Sequence, residues 1–160
     1  MRILFYLILL TVSIFAKNNF TEKRYFYTLD KTTIFKGSVD IVNDSSMVVS
    51  YVSPINKKLI QNGNKLTIED LDEKKTQVVD LSKRMDMNMY FSFMRAINKK
   101  DFETLKTYFD IVKNDFSYSL SPKSKIKKVI EKMDIVMQGD NIRKMMIYFK
   151  NRDTIEITIP

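Results

Sequence analysis

Asn62-Gly63, set between two short alternating runs at 57–61 and 64–68, is the feature that most narrows what this chain can fold into. The pair tolerates the two positive φ angles of a type I′ turn, so the flanking runs read as the two strands of an antiparallel hairpin. The same period of two extends in both directions. Tyr25-Phe26-Tyr27 begins it, and residues 34–42 follow, where Val39 and Ile41 alternate with Ser38 and Asp40. Asn43-Asp44-Ser45-Ser46 has the composition of a turn. Residues 47–53 are rich in β-branched and aromatic side chains and are stopped by Pro54. After a polar reversal at 70–75, residues 76–81 add another strand, and the first half of the chain reads as an antiparallel meander.

In the middle the period lengthens. Met85, Met89, Phe93 and Ile97 recur every four residues, with Tyr90 and Met94 on the adjoining stripe, as an amphipathic helix requires. Ser82 or Asp86 is placed to cap its start. A shorter helix or irregular turn is expected over 101–109, with Phe102, Leu105 and Phe109 as its apolar side. Strand periodicity then returns at 116–120, 132–138, 142–149 and 154–159, separated by turns that include Gly139-Asp140 and Asn151-Arg152. Strands on both sides of an inserted helix predict an α+β fold, a curved antiparallel sheet covered on its concave face by helices. Gly37, Gly63 and Gly139 are too far apart for a phosphate loop and read as turn or bulge glycines.

Residues 3–15 form an almost unbroken apolar run behind Met1-Arg2, closed by Ala16 and then by Lys17-Asn18-Asn19. That is the length of a signal-peptide core rather than of a membrane span, which takes about 20 residues. Cleavage after Ala16 is expected, leaving a single domain at 17–160 in the periplasm. With no cysteine, that domain carries neither disulfides nor a lipid-modified cysteine, and its core has to suffice unaided. The whole chain has a formal net charge of +8, one unit of which leaves with Arg2. This suits transient contact with acidic surfaces. The lysines are scattered, without an arginine-rich or ribonucleoprotein pattern, and nucleic acid is not an expected partner.

Catalysis finds little to work with. The chain has neither His nor Cys, so it lacks the commonest general base, the usual nitrogen ligand for a transition metal and the thiolate nucleophile. Glu69, Asp70, Asp72 and Glu73 fall at a strand end and turn without calcium-loop spacing, and Asp134 reads as an outward-facing strand residue. No catalytic residue, cofactor or metal site is expected. Soft apolar bulk stands out instead. Met85, Met87, Met89 and Met94 share the helix, and Met133, Met137, Met145 and Met146 share the last strands. Methionine adapts to irregular apolar partners, and Met87 lies outside the main stripe, so the helix is apolar over more than one face. An ordinary core and a ligand-contacting lid both fit that pattern.

Three consecutive segments carry a family resemblance: Phe35-Lys36-Gly37-Ser38-Val39-Asp40-Ile41, then Met47-Val48-Val49-Ser50-Tyr51-Val52-Ser53-Pro54, then Lys58-Leu59-Ile60-Gln61-Asn62-Gly63-Asn64-Lys65-Leu66-Thr67-Ile68. In order and spacing they resemble the periplasmic outer-membrane lipoprotein carriers, the LolA-like proteins. The resemblance implies an unclosed β-barrel with a helical lid, no catalysis, and shuttling of acylated lipoproteins from the inner to the outer membrane. It also implies two partners, an inner-membrane lipoprotein-releasing ABC transporter and an outer-membrane receptor, and a monomeric carrier. The acyl-chain pocket expected from strand period and resemblance together comprises Phe35, Val39, Ile41, Val49, Tyr51, Leu66 and Ile68, with Met85, Met89 and Phe93 from the lid. Three residues depart from the family pattern. Asn43-Asp44 stand where a basic residue helps hold the lid closed, and Val49 replaces a frequent tryptophan, which leaves room for another lipid or glycolipid as cargo. A non-catalytic envelope interaction module is the other class of function compatible with these residues, and it would have a filled interior.

Overall fold

The structure, a computed structural model, describes residues 18–160 apart from the side chains of Met85, Asp86, Ser124 and Lys125, so the expected leader lies outside the described residues. Six strands come first, β1 (Asn18–Phe26), β2 (Lys31–Asn43), β3 (Ser46–Ser53), β4 (Lys57–Asn62), β5 (Lys65–Asp70) and β6 (Lys75–Asp80). Two helices follow, α1 (Met85–Asn98) and α2 (Phe102–Lys106), and then β7 (Phe109–Lys113), β8 (Ser117–Pro122), β9 (Ile130–Gln138), β10 (Asn141–Phe149) and β11 (Thr154–Thr158). All eleven strands form one antiparallel sheet in the order β6-β5-β4-β3-β2-β1-β11-β10-β9-β8-β7. The two meanders are joined by pairing the first strand to the last, Thr21 opposite Thr158 and Tyr25 opposite Thr154. β6 and β7 are the two edges, so the sheet is not closed, and the helical segment leaves one edge and returns at the other.

Two contacts of α1 show how far the sheet bends. Phe93 meets Phe109 of β7 with ring centroids 5.2 Å apart, while Arg95, two residues on, hydrogen-bonds Gln61 of β4. Those strands stand eight places apart in the sheet, roughly 38 Å if it were flat, and two helical residues span only about 3 Å. The sheet therefore curls around α1. One contiguous apolar cluster follows, including Val49, Leu66, Leu120, Met133 and Ile135 from the strands and Phe91, Phe93, Met94 and Ile97 from the helix. Because the helix is contacted from several sides, its buried surface is wider than a single stripe. Phe91, outside the Met85-Met89-Phe93 row, is only 1% exposed.

The hairpins obey local chemistry. Gly63 and Gly139, each the first of two connecting residues, have φ of 57° and 58°, and the residues beside them have no positive φ. That is the demand of a type II′ turn, which corrects the type I′ expectation at Asn62-Gly63. Asn43 Oδ1 accepts from Ser45 N at 2.9 Å and sets the β2–β3 turn.

Two strands are longer or newer than the alternation suggests. β1 starts at Asn18 rather than Tyr25, its charged residues Glu22, Lys23 and Arg24 having masked it. β7 occupies ground expected to end a helix, and Phe109, fully buried, opens it. Leu81, expected in a strand, lies in a 3-10 turn capped by Asp80, which accepts from Ser82 N at 3.0 Å. Arg84, the N-cap of α1, makes no side-chain capping bond.

α1 ends in a Schellman motif built without glycine. Lys100, at φ 55°, donates its N–H to Ile97 O at 3.0 Å, and Asp101 N donates to Ala96 O at 2.8 Å. A lysine in the left-handed region costs about 1–2 kcal/mol, part of which glycine would give back through its freer unfolded chain. Lys100→Gly is expected to raise stability by about 0.5–1 kcal/mol, read as a higher urea midpoint with unchanged slope.

Candidate functional site

A cleft of about 400 Å³ opens between the first half of α1 and the curled sheet. Its sheet side is formed by Arg24, Tyr51, Lys57 and Leu59, with Ile55 from the reversal after the cis Ser53–Pro54 bond. Its helix side is Met87, Tyr90 and Phe91, at the i, i+3, i+4 spacing that aligns side chains on one face. Strand alternation explains the rest. Arg24 shares the inner face of β1 with Phe20 and Glu22, and Lys57 and Leu59 share that of β4 with Gln61.

Behind the cleft the apolar interior is interrupted by a polar cluster. Across the sheet, Tyr118, Ile135, Met145 and Ile157 lie in one row with Glu22 and Phe35. Glu22 is 1% exposed. Tyr51 donates its hydroxyl to Glu22 Oε2 at 3.1 Å. Arg24 donates from Nε to Glu22 Oε1 and from Nη2 to the Tyr51 oxygen at 3.2 Å. The guanidinium carbon also lies 4.7 Å from the Phe35 ring centroid. Tyr90 brings its hydroxyl beside that of Tyr51, so the helix joins the cluster.

The electrostatics follow from this enclosure. Burial, ahead of the neighbouring Tyr90 and Glu22 charges, pushes the Tyr51 hydroxyl far above its ordinary range. Burial likewise raises Tyr90 to about 12, so both phenols are neutral donors at physiological pH. For Arg24, burial works downward, but the bond to Glu22 and its charge outweigh it and the net shift is upward. At the outer lip, Lys57 pairs with Asp70 at 2.9 Å, and that bond raises it. Asp70 is lowered, first by the backbone N–H of Glu73 and then by Lys57.

The second half of α1 is tied down by side chains at its underside and end. Arg95 donates to Gln61 Oε1, and Gln61, 4% exposed, donates in turn to Gly63 O at 3.2 Å. Burial lowers the Arg95 pKa, and its Nε is buried without a hydrogen-bond partner. Asn18 Nδ2 donates to Asn98 Oδ1 at 3.3 Å. Lys99 forms an ion pair with Asp44, whose pKa it lowers. Thus the β2–β3 turn meets the end of the helix, with an acid on the turn and a base at the helix C-cap.

Of the residues expected to line a pocket, Val39, Val49, Tyr51, Leu66 and Phe93 are buried, and Phe35, Ile41, Ile68 and Met89 pack half-buried against them. The Met85 side chain lies outside the described residues. All nine described ones belong to the same apolar cluster, yet Tyr51 alone among them lines the cleft. Val39, Val49, Leu66 and Phe93 belong to the buried core, and Phe35, Ile41, Ile68 and Met89 border it. Sequence reasoning missed Glu22, Arg24 and Lys57, and the signal available for the first two was a charge pair at i, i+2 on the face that Phe20 marks as inward. Met87, singled out for lying off the main stripe, does line the cleft.

The acidic residues of the β5–β6 turn serve the turn. Asp70 accepts from Glu73 N and Asp72 from Asn56 N, each at 3.0 Å. Asp134 is held at the surface of the sheet by Ser119 and Lys132, both at 3.1 Å. Among the described residues no group of three His, Cys, Asp or Glu side chains is placed to hold a metal ion. The chain matches no family model and no curated protein.

Proposed function

We propose that this protein is a non-enzymatic periplasmic carrier of acylated cargo, LolA-like in fold, that takes acyl chains under α1 and passes lipoproteins from the inner to the outer membrane. The observation that carries the reading is the apolar-walled cleft beneath one helix of an unclosed sheet, formed by Ile55, Leu59, Met87 and Phe91 and continuous with the core. Each acyl methylene costs about 0.8 kcal/mol to leave in water, so a soluble shuttle needs a deformable apolar space. A cleft of about 400 Å³ is at the small end of the range of roughly 300–1,000 Å³ for such sites. More than one chain has to lift α1.

The tethers suit that movement. The Lys99–Asp44 pair is exposed, and exposed pairs contribute little. Arg95 leaves one donor unmatched beneath the helix, so opening that side exposes a group already short of a partner. The cargo partners would be an inner-membrane lipoprotein-releasing ABC transporter and an outer-membrane receptor. Another lipid or glycolipid could use the same cleft.

Native mass spectrometry of residues 17–160 recovered from a bacterial periplasm tests the proposal, with solvent extraction of whatever is bound. The expected result is acylated peptide or lipid at about one per chain. Met87→Asp, a half-buried change on the helix wall, is expected to remove most of it while leaving the thermal midpoint within a few degrees. Reproducibly empty protein that also takes up no fluorescent fatty acid or lipopeptide overturns the carrier. One feature favours the second reading, an envelope interaction module: edge strand β7 is unpaired on one side, with Val112 and Phe116 exposed by 60% and 75% beside it.

A further inference from the structure

Resting on the carrier reading, we infer that the cleft selects amphiphiles with an anionic end group, held between Arg24 and Lys57 while the hydrocarbon lies along Leu59, Met87 and Phe91. Three observations point this way. Both cations line the cleft, and among the described side chains no carboxylate does. Each cation has a counter-charge that is shared with other donors: Glu22, bonded to Arg24, also accepts from Tyr51, and Asp70, paired with Lys57, also accepts from the backbone of Glu73.

The donors are also left in surplus. Arg24 spends one N–H donor on Glu22 and one on Tyr51, and Lys57 spends one on Asp70. The remaining N–H groups have no partner among the described residues and can converge on a carboxylate or phosphate oxygen. The two tyrosines, kept neutral by burial, add hydroxyls rather than a competing negative charge. The Arg24 guanidinium is braced by the Phe35 ring and by Glu22, so its orientation is set before the ligand arrives. A neutral amphiphile of equal length would gain the same hydrocarbon contacts and leave these donors unmatched.

The test compares dodecanoate with dodecanol below their aggregation concentrations at pH 8, each displacing a fluorescent apolar dye from the residue 17–160 protein. Dodecanoate is expected to bind about tenfold more tightly, equivalent to about 1.4 kcal/mol. Lys57→Gln, a substitution at a half-exposed lip position, is expected to bring that ratio below about threefold, the larger loss falling on dodecanoate. Excess acetate is expected not to displace dodecanoate, because the anion alone lacks the apolar contacts. Equal affinities in the unaltered protein, or a ratio that survives Lys57→Gln, overturns the anionic selection and leaves the carrier standing, while displacement by acetate overturns the joint use of hydrocarbon and anion. Binding of neither amphiphile overturns the carrier itself.

Discussion

Replacing Gly37 with alanine is expected to destabilise the fold by about 3 kcal/mol. The reason is space, since Gly37 has no positive φ. A Cβ there would lie 2.3 Å from the backbone oxygen of Ser50 and 2.8 Å from Phe20 Cζ. The first of these cannot be relieved by a rotamer. β2 and β3 slip register between Lys36 and Gly37, and at that bulge Gly37 faces Tyr51 on one neighbour and Phe20 on the other. Phe20 and Tyr51 meet edge to face over it at 5.7 Å, closing the space that a side chain would need. Overpacking a tight interior costs about 1–3 kcal/mol, and a backbone obstacle places this site at the upper end. Urea unfolding of the variant measures it. Phe20→Leu introduced with Gly37→Ala is expected to recover only part of the loss, because the Ser50 oxygen remains. A Gly37→Ala protein within about 0.5 kcal/mol of the original would show that β2 and β3 part more easily than their pairing suggests.

Much of this fold is legible because it is written in local patterns. The hairpin at Gly63, the turn at Asn43 and the four-residue period of α1 each depend on neighbours in sequence, and each is where alternation and turn composition place it. What stays hidden depends on partners far along the chain. β1 carries Glu22, Lys23 and Arg24 and reads as polar, but pairing with both β2 and β11 makes it central in the sheet. Phe109 fits a helical spacing with Phe102 and Leu105, until pairing with β8 draws it into a strand. The nominated pocket shows the same limit. Period two correctly puts Val39, Val49 and Leu66 on the inner face. It does not tell which inward residues α1 covers and which it leaves beside open space, because that depends on where the helix crosses the curl.

Glu22→Ala should cost about 3 kcal/mol, and the size of the loss depends on what the carboxylate leaves behind. Glu22 is 1% exposed, and its two oxygens answer Tyr51 and Arg24. Removing it strands a buried phenol and takes the counter-charge from a half-buried guanidinium. Breaking a buried pair by deleting one partner typically costs about 3–5 kcal/mol. The Arg24 side chain, 34% exposed, can turn partly toward water, which holds the figure near the lower bound. Removing both charges together is a different experiment. Glu22→Leu with Arg24→Met replaces the pair by apolar groups of similar reach, and stability within about 1 kcal/mol of the original is expected, since desolvation and attraction nearly cancel in such pairs. The cycle completed with the single changes should then show a coupling of about 2 kcal/mol or more. If the double variant is as stable as the original and still binds dodecanol, yet no longer prefers dodecanoate, the fold has no need of the pair. Its place in an otherwise apolar row is then explained by the ligand, with Glu22 serving to aim Arg24 into the cleft. A double variant as damaged as Glu22→Ala would instead make the cluster part of the framework that holds β1, β3 and α1 in register.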